Sequence, residues 1–296
     1  MCGIVGLLLK NPALNGELGK LVTPMLESMS ERGPDSAGLA VFADTDRGEK
    51  YSLFAQDAEF DWDALERALD EALAPMPRIE AQGRYARLHL GADPDTVRPW
   101  FAEHFPELHI LSAGHFIDIY KDAGHPVAIA ERYGFPALTG SHAIGHTRMA
   151  TESAITPAHA HPFTAGQDFC LVHNGSLSNP YKIRRSLESK GISFETDNDT
   201  EAACRFLEWR LREGDSLEDA LSQGFNVLDG FYTLLMGTHD KLALVRDPFA
   251  CKPAVVAETD DYVAIGSEYR ALAHLPGVKE AMLFEPKPEE IYSWTR

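Results

Sequence analysis

MCGIVG, residues 1–6, sets a cysteine directly behind Met1 and leads into an apolar run, CGIVGLLL, that closes at Leu9. The run is short, apolar and broken only by Gly3 and Gly6, which predicts a buried strand. Methionine aminopeptidases remove Met1 when the second residue is small, so Cys2 becomes the first residue, with a thiol and a free α-amine on one carbon. A resting thiol, with a pKa of about 8.5, is mostly protonated at neutral pH. An α-amine, with a pKa of about 7.7–8.0, is neutral often enough to take the thiol proton, directly or through a water. Nucleophile and general base then sit in one residue. A small core residue at a strand end is the other reading of Cys2.

The chain has 296 residues, 44% of them hydrophobic, enough to bury the core of one large domain or two small ones. Its 45 acidic against 27 basic residues give a formal charge of −18, which opposes binding to nucleic acid and to anionic membranes. No apolar stretch approaches the roughly 18 residues of a membrane span. IVGLLL lacks the basic flank of a signal peptide, so a cytoplasmic protein is expected. Cys2, Cys170, Cys204 and Cys251 show no CxxC spacing, and the histidines form no HExxH motif. Disulfides and a metal site are not expected.

Outward from the first strand, residues 16–30 carry Leu18, Leu21, Val22, Met25, Leu26 and Met29 on one helical face. ERGPDSAG (31–38) is turn chemistry, and LAVF (39–42) a second strand. DWDALERALDEALA (61–74) is an amphipathic helix capped by Asp61. Residues 57–138 read as a small inserted α+β subdomain, with FIDIYKDAGHPVAIAERYG (116–134) as a hairpin. Trp100, Phe101, Phe105 and Tyr120 in it look exposed enough to dock a partner, or else fill the subdomain's own core. HAIGHTRMAT (142–151) returns to a core strand, and helices follow Asn179, Asp199 and Ser216. FYTLLMG, KLALVR, AVVA and YVAIG read as a four-stranded meander. Strands, helices and more strands predict two sheets faced by helices, an α+β architecture.

Three stretches can carry chemistry beside Cys2. In VHNGS (172–176), the Asn174 amide and the Gly175 N–H can form two donors aimed at one oxyanion, but Asn-Gly is also the commonest hairpin turn signal. Arg148 in GHTRMAT (145–151) sits on an inner strand, where a buried guanidinium needs an anion: a substrate carboxylate or an internal ion pair. Asp199 in TDNDTE (196–201) caps the following helix or binds an ammonium, and Glu201 adds charge to the helix's first turn. Arg246, Asp247 and Lys252 in RDPFACKP (246–253) read as fixing a turn.

The blocks MCGIVG, RGPDSAG (32–38), HTRMAT (146–151), HNGSLSN (173–179), DTE (199–201) and RDPFACKP, in that order, resemble the signatures of class II glutamine amidotransferases. The resemblance covers residues 1–45 and 140–270. It implies a four-layer αββα N-terminal-nucleophile fold, here across 1–296 with 57–138 inserted. It implies catalysis by Cys2 with Asn174 and Gly175 as the oxyanion hole. Arg148 and Asp199 would hold the α-carboxylate and α-ammonium of L-glutamine, and Thr151 would add a hydrogen bond. Met149 and Glu152 stand where many relatives have Trp and His.

The chain most resembles the free-standing amidotransferase subunit of N-methylglutamate synthase and related glutamate-synthase-like complexes. That resemblance implies a glutaminase without cofactor or metal, supplying ammonia to a separate, flavin-binding synthase subunit. The alternatives are a stand-alone amidohydrolase acting on a γ-glutamyl compound, and a catalytically silent regulatory subunit of the same fold.

Overall fold

A computed structural model of the chain describes residues 2–44, 48–150 and 155–296. At its centre lies the cysteine strand, Gly3–Leu9, with all seven residues buried. It pairs antiparallel with the arginine strand His142–Arg148, Gly3 opposite Thr147, and with Tyr262–Gly266, Val5 opposite Gly266. Ser36–Phe42 and Ile117–Ala123 extend one side of this seven-stranded sheet, Val255–Glu258 and Met282–Phe284 the other. Burial on both faces explains why the strand reads as an unbroken apolar run rather than an alternating one.

A five-stranded sheet packs against it, built around the asparagine strand Cys170–Leu177, with Gly230–Gly237, Lys241–Arg246 and Tyr292–Thr295 beyond it and the short Phe163–Thr164 at its other edge. Here the two-residue alternation is clear. Cys170, Val172, Leu235 and Leu242 join the core shared with the first sheet, while Leu171, Leu234, Met236 and Ala243 join a second core under helices. A Cβ on Gly6 would stand 2.9 Å from Leu235 Cδ2, so glycine lets the two sheets approach there. Helices Leu18–Glu27 and Pro126–Tyr133 cover the outer face of the first sheet. Pro180–Glu188, the aspartate helix Asp199–Arg212, and Leu217–Val227 cover that of the second. The result is the αββα layering of an α+β protein.

Residues 50–114 build a third, four-stranded sheet, ordered Arg78–Gln82, Tyr85–His89, Lys50–Ala55, Leu108–Gly114. Helices Trp62–Ala72 and Pro94–His104 pack on it around Tyr51, Leu65, Leu69, Leu88, Val97 and Phe101.

The structure corrects the sequence reading in two places here and chooses between its alternatives in a third. Ile117–Ala123 is not half of a hairpin: it pairs with Ser36–Phe42 at the edge of the seven-stranded sheet, Lys121 opposite Gly38. The segment after it is the helix Pro126–Tyr133, started by Pro126 and stopped by Gly134 in the left-handed conformation. The aromatics turn inward: Phe101 is buried, Trp100 and Phe105 pack against the third sheet's core, and Tyr120 accepts a 2.8 Å hydrogen bond from Arg87.

The expected C-terminal meander splits between the two large sheets. Gly230–Gly237 and Lys241–Arg246 lie in one, Val255–Glu258 and Tyr262–Gly266 in the other. RDPFACKP is the crossover. Asp247 accepts the Tyr232 and Phe249 N–H groups at 2.9 and 2.8 Å, and Arg246 donates to the carbonyls of Pro286, at 2.8 Å, and Ala250.

Candidate active site

The two large sheets leave a cavity of about 670 Å³ at one end, with Cys2, Arg148, Asn174, Gly175, Asp199 and Lys252 on its wall. Cys2 enters it because it directly precedes the cysteine strand. Its backbone is pinned from two blocks far away in sequence. Arg32 Nε donates to the Cys2 carbonyl at 2.9 Å, and Arg32 Nη1 meets Glu268 at 2.6 Å. Ser267 and Ile4 exchange bonds at 3.0 Å, Ile4 N–H to Ser267 Oγ and Ser267 N–H to the Ile4 carbonyl. Glycine is required at position 3, since a Cβ there would fall 2.7 Å from Met29 Cβ and 2.8 Å from Thr147 Oγ1.

Arg148 ends its strand, buried, opposite Ser36. The RGPDSAG block holds this end in place: Asp35 N–H donates to the Arg148 carbonyl at 3.0 Å, and the Asp35 carboxylate accepts the Ala150 N–H at 2.8 Å.

The Asn-Gly pair is not a hairpin turn. The ladder to Gly230–Gly237 runs straight through it, Asn174 opposite Thr233 and Gly175 opposite Tyr232, and continues to Leu177. Gly175 takes φ +152°, and a Cβ there would lie 1.9 Å from the Phe231 carbonyl oxygen, so no other residue fits. Asn174 is 3% exposed, and its side-chain nitrogen has no hydrogen-bond partner among the described residues. A buried amide N–H left unpaired costs about 1–3 kcal/mol. Here that donor is held ready on a cavity wall.

Asp199 does not cap its helix. Asn198 does, accepting the Thr200 N–H at 2.9 Å. Asp199 stands one position inside, where its Oδ2 accepts the Leu177 N–H at 2.8 Å and it borders the cavity. Glu201 is buried and ties the loop before the helix to it, accepting from Glu195 and Thr196 N–H at 2.8 and 2.7 Å and from Arg205 at 3.0 Å. Thr151 and Glu152 lie outside the described residues.

Burial pushes the Cys2 thiol up, against the Met149 backbone N–H and the charges of Arg148 and Lys252, which pull it down. The thiol therefore rests protonated and needs a base to react. The nearby histidines are held neutral by burial, His146 down to about 3 and His161 and His173 also lowered. Among the described residues no group of His, Cys, Asp or Glu could hold a metal ion. No helix among them is long and apolar enough to cross a membrane.

The structure thus brings Cys2, Arg148, Asn174, Gly175 and Asp199 to one cavity from four separate segments. It adds Lys252, which the sequence suggested only as a turn residue, and Arg32, whose role depends on contacts 30 and 236 residues away. The only hint of Arg32 in sequence was its place at the head of RGPDSAG.

A family model described as a glutamine amidotransferase domain matches residues 146–274. The glutamine amidotransferase-like protein GlxB of Rhizobium meliloti (strain 1021) is 47% identical over 296 residues, which cover 99% of this chain and 98% of GlxB. A putative glutamine amidotransferase of Methanothermobacter thermautotrophicus is 33% identical over 305 residues, covering 99% of each chain. Among solved structures, one described as the allosteric regulatory enzyme of purine biosynthesis superposes with a TM-score of 0.63. That match covers 99% of this chain and 46% of the other at 20% identity, a likeness of fold.

Proposed function

The chain belongs to the glutamine amidotransferase family, and from that premise we propose that it releases ammonia from the side-chain amide of L-glutamine at Cys2. Removal of Met1 gives Cys2 its free α-amine, which takes the thiol proton. The sulfur attacks the amide carbon, and the oxyanion is held by the Asn174 side-chain N–H and the Gly175 backbone N–H. The intermediate collapses, the α-ammonium returns the proton, and ammonia leaves a γ-glutamyl thioester. Water, deprotonated by the same amine, then releases glutamate. Arg148 binds the α-carboxylate, Asp199 the α-ammonium, and Thr151 adds a hydrogen bond. No cofactor or metal takes part.

The observation that carries this reading is the buried, unpartnered nitrogen of Asn174 in the same cavity as Cys2. A turn residue would have spent its amide on the turn. The test is intact mass combined with a glutaminase assay. Active protein is expected to lack Met1, and active protein that retains Met1 throughout would overturn the mechanism. Arg148→Ala and Asp199→Ala are expected mainly to raise KM for glutamine, because both charges meet the substrate away from the reacting bond. A fall in kcat at unchanged KM would place them elsewhere in the reaction.

We assign the ammonia to a separate synthase chain, flavin-binding as in N-methylglutamate synthase-like complexes. Relatives that this chain covers over 98% and 99% of their lengths are described as glutamine amidotransferase-like and as a putative glutamine amidotransferase, which supports an amidotransferase role. The cavity mouth supports docking: Tyr181 at 69% exposure lies on its rim. Phe231, opposite Ser176 on the asparagine strand, and Phe249 are 48% and 69% exposed and pair at 5.3 Å. Exposed aromatics of this kind mark interaction surfaces. The inward turn of Trp100, Phe101, Phe105 and Tyr120 removes the reason for placing that surface on residues 57–138.

A further inference from the structure

Lys121 has an unusual place for a lysine. It lies on the edge strand Ile117–Ala123, 6% exposed, and no carboxylate pairs with it among the described residues. Its ammonium donates instead to two backbone carbonyls, Ala160 at 2.9 Å and Pro162 at 3.2 Å, and lies 4.9 Å from the centre of the Phe163 ring. Across the ladder from it stands Gly38, the last residue of RGPDSAG. A Cβ on Gly38 would fall 2.2 Å from the His161 carbonyl oxygen. The 160–162 segment is thus gripped by a buried charge and seated on a glycine that leaves room for its backbone.

The residue between the two gripped carbonyls is His161. Its Nε2 lies 2.8 Å from Thr200 Oγ1, and the same hydroxyl lies 3.0 Å from His173 Nδ1. The Thr200 hydroxyl joins the two neutral imidazoles in one chain, and its own proton can go to one of them or to Asp199 Oδ1, 3.4 Å away. His146 backs it, with its ring 4.0 Å from that of His161 and its Nε2–H donating to the His173 carbonyl at 3.0 Å. Asn174 follows His173 directly, and a Cβ on Gly175 would come within 2.8 Å of His173 Nε2. Each link is buried.

We propose that Lys121 is a positioning residue for the amide-cleaving site, acting through His161, Thr200 and His173 to hold Asn174 and Gly175 at the oxyanion. The proposal rests on the reading of those two residues as oxyanion donors. A small misplacement of such donors weakens transition-state binding far more than substrate binding.

The test compares Lys121→Met, Thr200→Val and the double variant in the full chain, with Thr200→Ser as the conservative control. Each single variant is expected to lower kcat by about ten- to a hundredfold with KM for glutamine changed little. Thr200→Ser, which keeps the hydroxyl, should recover most of the rate. The double variant should be no slower than the worse single one, because both cut one chain. Additive losses would overturn the proposal, and so would a Thr200→Val variant with parental kcat, even if Lys121→Met does not fold. Imidazole proton NMR separates this inference from the glutaminase reading, since it needs no activity. Loss of the imidazole N–H signal hydrogen-bonded to Thr200 in Lys121→Met supports the clamp. Its persistence overturns it, whether or not the parent chain releases ammonia.

Discussion

Cys2→Ala is expected to abolish ammonia release from glutamine, and Asn174→Ala to lower kcat by about 10²–10³-fold with a much smaller change in KM. On the proposed mechanism, the first loss removes the sulfur that forms the thioester. The second removes one of the two proposed donors to the oxyanion, a loss worth about 3–4 kcal/mol in the transition state. The Asn174 nitrogen bonds to nothing among the described residues in the resting structure. Its removal should therefore leave the melting temperature close to that of the parent. Steady-state ammonia release and thermal melts on the same preparations check both halves. An Asn174→Ala variant that melts early but turns over normally would make Asn174 a structural residue.

The fold is expected to lose stability steeply as pH falls below about 6.5, the ordinary histidine pKa. Burial lowers His142 to about 4 and His146 to about 3, and lowers His161 and His173 as well. Between the unfolded and folded pKa values, the unfolded chain binds protons that the folded chain refuses, so stability rises with pH across that window. Each such histidine contributes about 1.4 kcal/mol per pH unit. Urea unfolding at pH 7.5, 6 and 5 measures the slope. His142→Gln should reduce it by one histidine's share. His142 stacks on Phe42 at 4.2 Å, donates to the Thr238 carbonyl at 2.8 Å, and lies off the cavity wall. Equal stability at pH 7.5 and 5 would contradict the burial argument.

Much of this protein was legible in its sequence. The strand Gly3–Leu9 shows itself because burial on both faces demands an apolar residue at every position. The helix Trp62–Ala72 shows itself because half-burial demands a 3.6-residue period and its first turn demands a cap, supplied by Asp61 accepting the Ala64 N–H at 2.9 Å. The order of the short blocks from MCGIVG to RDPFACKP pointed to the family, and with it to Cys2, Arg148, Asn174, Gly175 and Asp199, before any distance was known.

Tertiary structure decided what local chemistry leaves degenerate. Asn-Gly serves equally as a turn and as two donors on a strand. Only the pairing with Gly230–Gly237, more than fifty residues on, kept it extended. Asn198 and Asp199 are both good caps; Asn198 takes the role, while the Asp199 carboxylate is held by the Leu177 N–H of the neighbouring strand. Ile117–Ala123 found its partner at Ser36–Phe42 rather than in a neighbouring strand, and the C-terminal strands parted between two sheets. The partners of Arg32 and Lys121 leave no local pattern, since they are backbone carbonyls and, for Arg32, the Glu268 carboxylate, all brought near by folding. Periodicity and capping report how one segment meets water and its own backbone. Which distant segment it meets depends on the summed packing of the whole chain, and the cavity around Cys2 is made of those distant meetings.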